Sequence, residues 1–199
     1  MLTKPEKPTV SLVSRYLMRY RQKSEDVTTD EAISKLFQTF PRNSQLEEVL
    51  LKVVALNDLY NTNILATTLM AKHICGLNID SQLEQKSPEL VNAIALLKVG
   101  SKTRRNYSFA SKYCSWHMLD AYPIYDSFVE RLIWAYQKFY PFTRFKRGEL
   151  QDYPRYKEII EAFRNHYGLT QFSFKELDKF LWLYGKDYAD RLASASSQL

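Results

Sequence analysis

The stretch from Tyr107 to Val129, YSFASKYCSWHMLDAYPIYDSFV, constrains this chain more than any other. Tyr107, Ala110, Tyr113, Cys114 and His117 recur at helical spacing, and an apolar stripe of this kind predicts a helix packed on one face. Arg104, Arg105, Ser108, Lys112 and Ser115 fall on the other side and predict a basic, solvated stripe. Pro123 disfavours helix in the residue before it, so Ala121 and Tyr122 are expected to run extended. Asp126 then reaches the first turn of a second helix, where unpaired N–H groups and the helix dipole favour a carboxylate. An aspartate in that position is by default a cap, worth about 1 kcal/mol. It is also a fixed negative charge beside a basic stripe, and both readings stay open at this point.

With 199 residues, the chain is long enough for one domain, residues 1–199, or for two small lobes around a cleft. A hydrophobic content of 45% supplies a core, and only 5 glycines and 7 prolines leave few tight turns. The long helical periodicities therefore predict an all-α fold. A formal charge of +6 favours a polyanionic partner, nucleic acid being the commonest. Cys75 and Cys114 cannot build a disulfide framework, a four-thiolate zinc site or an iron–sulfur cluster, and both sit on apolar faces as expected free thiols. His73, His117 and His166 have no partners at ligand spacing, so neither metal nor other cofactor is expected. The N-terminus, MLTKPEKPTV, lacks the apolar segment of a signal peptide, and no run is long enough to span a membrane; an intracellular, cytoplasmic, monomeric protein is the expectation.

In chain order, residues 1–8 read as a loose arm, and a first helix follows from Thr9 to about Lys23. A second starts at Thr29 and ends before Pro41. Ser44 and Glu47 form a capping-box pattern ahead of a third. The polar break Tyr60-Asn61-Thr62-Asn63 separates it from a helix that stops at Gly76. Ser87-Pro88-Glu89 opens another, which Val99-Gly100-Ser101-Lys102-Thr103 interrupts. Residues 140–156 are irregular and rich in basic and aromatic side chains, which suit either phosphate or packing. Helices from about Arg155 to His166 and from near Ser173 complete the chain, with a frayed tail from Ala193 to Leu199.

Three segments, in order, resemble the helix-hairpin-helix DNA glycosylase superfamily. VGSKT at 99–103 is similar to its glycine-containing hairpin ending in Lys-Thr. YPIYDSFV is similar to the proline–apolar–aspartate element that carries its catalytic aspartate. LYNTNILATTLMAKHI resembles the asparagine-rich helix start by which the 8-oxoguanine branch reaches into DNA. The similarity covers roughly residues 56–130, with Lys98 in place of the leading hairpin glycine, a longer interval from Lys102 to Asp126, and no cluster-binding cysteines.

The resemblance implies a helix-hairpin-helix glycosylase-like fold that excises a damaged or modified base, such as an oxidised purine, from duplex DNA. Asp126 would stabilise positive charge developing on the sugar. Lys102 by motif, or Lys112 by its helix face, would serve if an amine attacks the sugar to give an imine and strand cleavage. Asn61, by its residue type alone an equally good helix cap, would fill the space left by an extruded base, with Asn63, Gly100, Ser101, Arg104, Arg105 and Ser108 also on the DNA. Two other classes fit the residues: a non-catalytic nucleic-acid-binding protein on the same scaffold, and a helical interaction protein with no nucleic acid.

Overall fold

The computed structural model describes residues 3–196, and they divide into two compact units. One unit comprises the chain up to Lys23 together with everything from Tyr125 onward; the other is Ser24–Ile124. Among the described residues the architecture is helical apart from one two-stranded hairpin. None of their helices is long and apolar enough to cross a membrane.

The first unit begins with helix α1, Val10–Arg21, whose N-cap Thr9 accepts a hydrogen bond from the Leu12 amide. Its buried stripe of Leu12, Val13, Tyr16, Leu17 and Tyr20 packs on the last helix, α10, Phe174–Ser196. Ser173 and Glu176 close a reciprocal capping box ahead of α10: the Glu176 amide donates to Ser173 Oγ, and the Ser173 amide to Glu176 Oε2. Helix α8, Ser127–Phe139, lies against α10, and Gly185 of α10 faces the Phe128 backbone so closely that a Cβ would not fit. Helix α9, Tyr153–His166, follows a 3-10 turn at Arg147–Gln151 and ends before Gly168, which sits at φ +63°.

Contrary to a loose arm, residues 3–8 are docked within this unit. Tyr188 OH donates to the Thr3 carbonyl and Tyr136 OH to that of Glu6, while the Glu6 amide donates to Tyr184 OH. Three buried tyrosines thus hold the arm through their outer oxygens, the usual way an aromatic ring is buried without stranding its hydroxyl. Residues 1–2 and 197–199 lie outside the described residues, so the expected frayed tail is tested only as far as Ser196, where α10 continues.

The second unit opens with α2, Ser24–Thr39, which starts well before the expected Thr29 because Glu25 and Asp26 complement the dipole of an earlier first turn. Helix α3, Leu46–Leu59, is preceded by Gln45, so the Ser44–Glu47 box expected from the pattern does not form. Helix α4, Thr67–Gly76, lies alongside α3. Short helices α5, Asp80–Glu84, and α6, Glu89–Ala95, lead to strands β1, Leu96–Val99, and β2, Lys102–Arg105. These pair antiparallel with Val99 opposite Lys102, leaving Gly100 and Ser101 as a two-residue turn, Gly100 at φ +60°. Helix α7, Tyr107–His117, completes the unit and packs on α6, α3 and α2.

That enclosure corrects the two-faced view of α7. Ser111, Lys112 and Ser115, expected on a solvated stripe, are buried along with Ala110, Tyr113 and Cys114. Arg104 and Arg105 are not on the helix at all but end β2.

Candidate functional site

The β1–β2 hairpin gathers the exposed positive charge of the second unit. Lys98, Lys102, Arg104 and Arg105 are all exposed, around a tip made by Gly100 and Ser101. From Leu90 to Leu119 the sequence contains no carboxylate. Arg105 lies over the Tyr107 ring at 4.3 Å, which fixes the base of the hairpin to α7. The stretch resembling a helix-hairpin-helix turn is therefore a β-ribbon set between α6 and α7.

Asn61 and Asn63 lie in the loop joining α3 to α4, and both take left-handed backbone conformations, at φ 49° and 58°. Asn61 is thus not a helix cap. The side chain holding this loop is Asn57, whose Oδ1 accepts from the Ile64 amide at 2.7 Å and from Thr62 Oγ1 at 3.0 Å. Leu65 at the end of the loop is 79% exposed. The buried Lys112 approaches the start of the loop, its Nζ lying 5.6 Å from the centre of the Tyr60 ring and donating to Ser108 Oγ at 2.5 Å. Lys112 and Ser108 are thereby turned to each other, whereas Lys102 is exposed at the start of β2.

Asp126 belongs to the first unit, the other predicted site residues to the second. It is the N-cap of α8, extended at φ −145° and ψ 151°, and accepts from the Phe128 amide at 2.9 Å. The aromatic-basic stretch at 140–147 divides in two: Phe145 is buried and Phe142 packs on Phe163 and Tyr167, while Arg144, Lys146 and Arg147 are exposed. Arg147 pairs with Glu130 at 2.9 Å.

A buried polar cluster in the second unit had no counterpart in the motif reading. Lys52 on α3 is fully buried and donates to the carbonyls of Phe40 (3.0 Å) and Arg42 (2.8 Å) and to Asn43 Oδ1 (2.8 Å). Asn43 Oδ1 also accepts from Tyr113 OH at 2.5 Å and faces His117 Nε2 at 3.1 Å. The amide end of Asn43 donates to Asp80 Oδ1 at 2.7 Å. Burial lowers the Lys52 amine to about 8, against the opposing pull of Asp80, Glu48 and Cys75. Burial, reinforced by the Lys52 charge, lowers His117 to about 3, so its imidazole is neutral at ordinary pH.

Cys75 is half-buried and Cys114 buried, both free thiols. Burial pushes the Cys114 thiol far above its ordinary range, the opposite of what a nucleophile needs. Among the described residues no group of His, Cys, Asp and Glu is arranged to hold a metal ion.

Comparison with known proteins gives two matches. Residues 12–121 match the family HI_0787_N, described as an N-terminal domain. The chain is also 41% identical over 143 residues to an uncharacterized protein of Haemophilus influenzae, which covers 71% of this chain and 68% of that protein. No solved structure matches.

Proposed function

We propose for this chain, which belongs to the HI_0787_N N-terminal domain family, a role in binding nucleic acid, with the β1–β2 hairpin as the element that meets the phosphate backbone. The observation carrying this reading is the ribbon itself: four exposed cations around a two-residue tip, in a stretch free of carboxylates. A two-stranded ribbon is narrow enough to enter a DNA major groove. Lysine and arginine on it release condensed counterions when they meet phosphate, and this makes affinity fall steeply with salt.

The test is duplex binding measured across a salt series. The expected result is a negative slope of log affinity on log salt, reduced by about 0.9 for each phosphate contact removed. Replacing Lys98, Lys102, Arg104 and Arg105 by glutamine should flatten the slope. A wild-type affinity indifferent to salt, or a slope unchanged in the fourfold variant, rejects the hairpin as the binding element.

A second reading, base excision, rests on Asp126. A carboxylate capping α8 sits at the positive end of a helix dipole, the electrostatic setting in which an ionised acid can face developing positive charge on a sugar. Release of a damaged base from duplex DNA by wild type, lost in Asp126→Asn, supports this reading. Borohydride trapping in wild type, Lys102→Gln and Lys112→Gln then separates an amine nucleophile from activated water.

A further inference from the structure

We propose that the second unit contains a binding site for a planar nitrogen heterocycle with two adjacent N–H donors, a guanine-type edge, in the cavity between α2, α5 and the end of α7. This goes beyond the nucleic-acid reading and does not rest on it. The cavity measures about 450 Å³, within the roughly 300–1,000 Å³ range of small-molecule sites. Its walls include Phe37 and Trp116, and its polar surface includes Asp80, His117, Gln38 and, at the mouth, Arg42. The Phe37 and Trp116 rings lie 6.4 Å apart at 38°, and His117 meets Phe37 edge-on at 4.8 Å. A flat ring gains dispersion and quadrupole attraction against such surfaces.

The cluster behind the cavity decides the charge of its wall. A charged Lys52 has three protons, and the carbonyls of Phe40 and Arg42 and the Oδ1 of Asn43 take all three. It has none to give His117 Nε2, 3.4 Å away. His117 Nε2 lies 3.1 Å from Asn43 Oδ1, the oxygen that already accepts from Lys52 and Tyr113. The depressed basicity of His117 keeps its ring neutral, so it adds no positive charge to the cavity wall.

Asp80 supplies the acceptor. The Asn43 side chain and main chain donate to its two oxygens, at 2.7 and 3.2 Å. Each oxygen retains a further acceptor position. Asp80 and His117 are thus held at opposite ends of one asparagine carboxamide, both on the cavity wall. The positive charge at the mouth is balanced, since Arg42 pairs with Glu84 at 3.1 Å. The Asp80 carboxylate on this wall selects donors, and a carboxylate takes two adjacent N–H groups in bidentate fashion.

The test is titration of the whole chain with guanosine, inosine and adenosine, followed by calorimetry and by the NMR signals of His117 and Trp116. Inosine retains the ring N–H of guanosine but lacks its exocyclic amino group; adenosine has only an exocyclic amino donor. The expected order is guanosine tightest, with inosine weaker by about tenfold or more, the loss of one hydrogen bond to a charged group. Asp80→Asn should erase the preference. Ser34→Phe, at a half-buried position on the cavity wall, should block all three nucleosides while leaving the Asn43 network in place. Equal affinities for guanosine and inosine, guanosine binding that survives Ser34→Phe, or no saturable binding at millimolar guanosine would each overturn the proposal.

Discussion

Lys52 Nζ and His117 Nε2 stand 3.4 Å apart in the second unit and converge on one acceptor, Asn43 Oδ1. Two basic groups so close cannot both be charged cheaply in a site from which water is excluded. The chain resolves the conflict by giving the charge to Lys52, whose three protons find three oxygens, and leaving the imidazole neutral. The cluster ties the turn after α2 to α3 and α7, and places Asp80 and His117 on the cavity wall.

This arrangement predicts an acid limit on stability. His117 is held at about 3 when folded and returns to about 6.5 when unfolded. Between those values the unfolded chain binds a proton that the folded chain refuses. Stability from this group is therefore complete above pH 6.5 and is lost as pH falls toward 3, at about 1.4 kcal/mol per pH unit. His117→Gln keeps a polar side chain without the titration. Urea midpoints measured from pH 7 to pH 4 should fall less steeply in the variant; parallel curves would show that another group sets the acid limit.

Gly185 predicts a packing limit in the first unit. A Cβ there would lie 2.9 Å from the Phe128 carbonyl oxygen, a backbone atom at the start of α8 that cannot rotate away. Ordinarily alanine in place of a helical glycine stabilises by about 1 kcal/mol. Overpacking against backbone costs about 1–3 kcal/mol and wins here. Gly185→Ala should lower the melting temperature, and an unchanged or higher value would mean that α8 and α10 can separate freely.

Asn61 separates backbone from side-chain effects. Its left-handed conformation costs a residue with a Cβ about 1–2 kcal/mol, less for asparagine and nothing for glycine. Asn61→Ala should lose about 1 kcal/mol in denaturant unfolding, whereas Asn61→Gly should lose none. If both variants bind duplex DNA as wild type does, the asparagine side chain has no part in recognition.

The helices were legible where one side of each faces solvent. The stripe of α1, the break at 60–63 and the cap at Asp126 all follow from spacing and local hydrogen-bonding chemistry. What spacing cannot convey is how many neighbours a helix has. In α7, the regularly placed Lys112 and Ser115 suggest a wet face, yet α6, α3 and α2 enclose it. The Lys52 cluster was illegible for a related reason. Asn43, Lys52 and Asp80 come from three separate parts of the chain and Tyr113 and His117 from α7, and none has a motif until folding brings them to one carboxamide. The arm at 3–8 looked loose because its partners are the hydroxyls of Tyr136 and Tyr188, far along the chain.

Asp126 allows capping and catalysis to be distinguished within one pair of substitutions. Its side chain accepts from the Phe128 amide, a bond that asparagine can also accept and alanine cannot. As a cap alone, Asp126→Ala should cost about 1 kcal/mol of stability and Asp126→Asn almost nothing. As the residue that stabilises positive charge on a sugar, Asp126→Asn should leave stability intact while base release falls by on the order of a hundredfold, because the shape persists and the charge does not. Melting temperatures and single-turnover base release from a panel of lesion-bearing duplexes, measured on the same three proteins, separate the outcomes. Stability that follows the cap ranking with no base release from wild type assigns Asp126 to architecture and leaves the hairpin as the functional element. Wild-type base release retained in Asp126→Asn removes this aspartate from the chemistry.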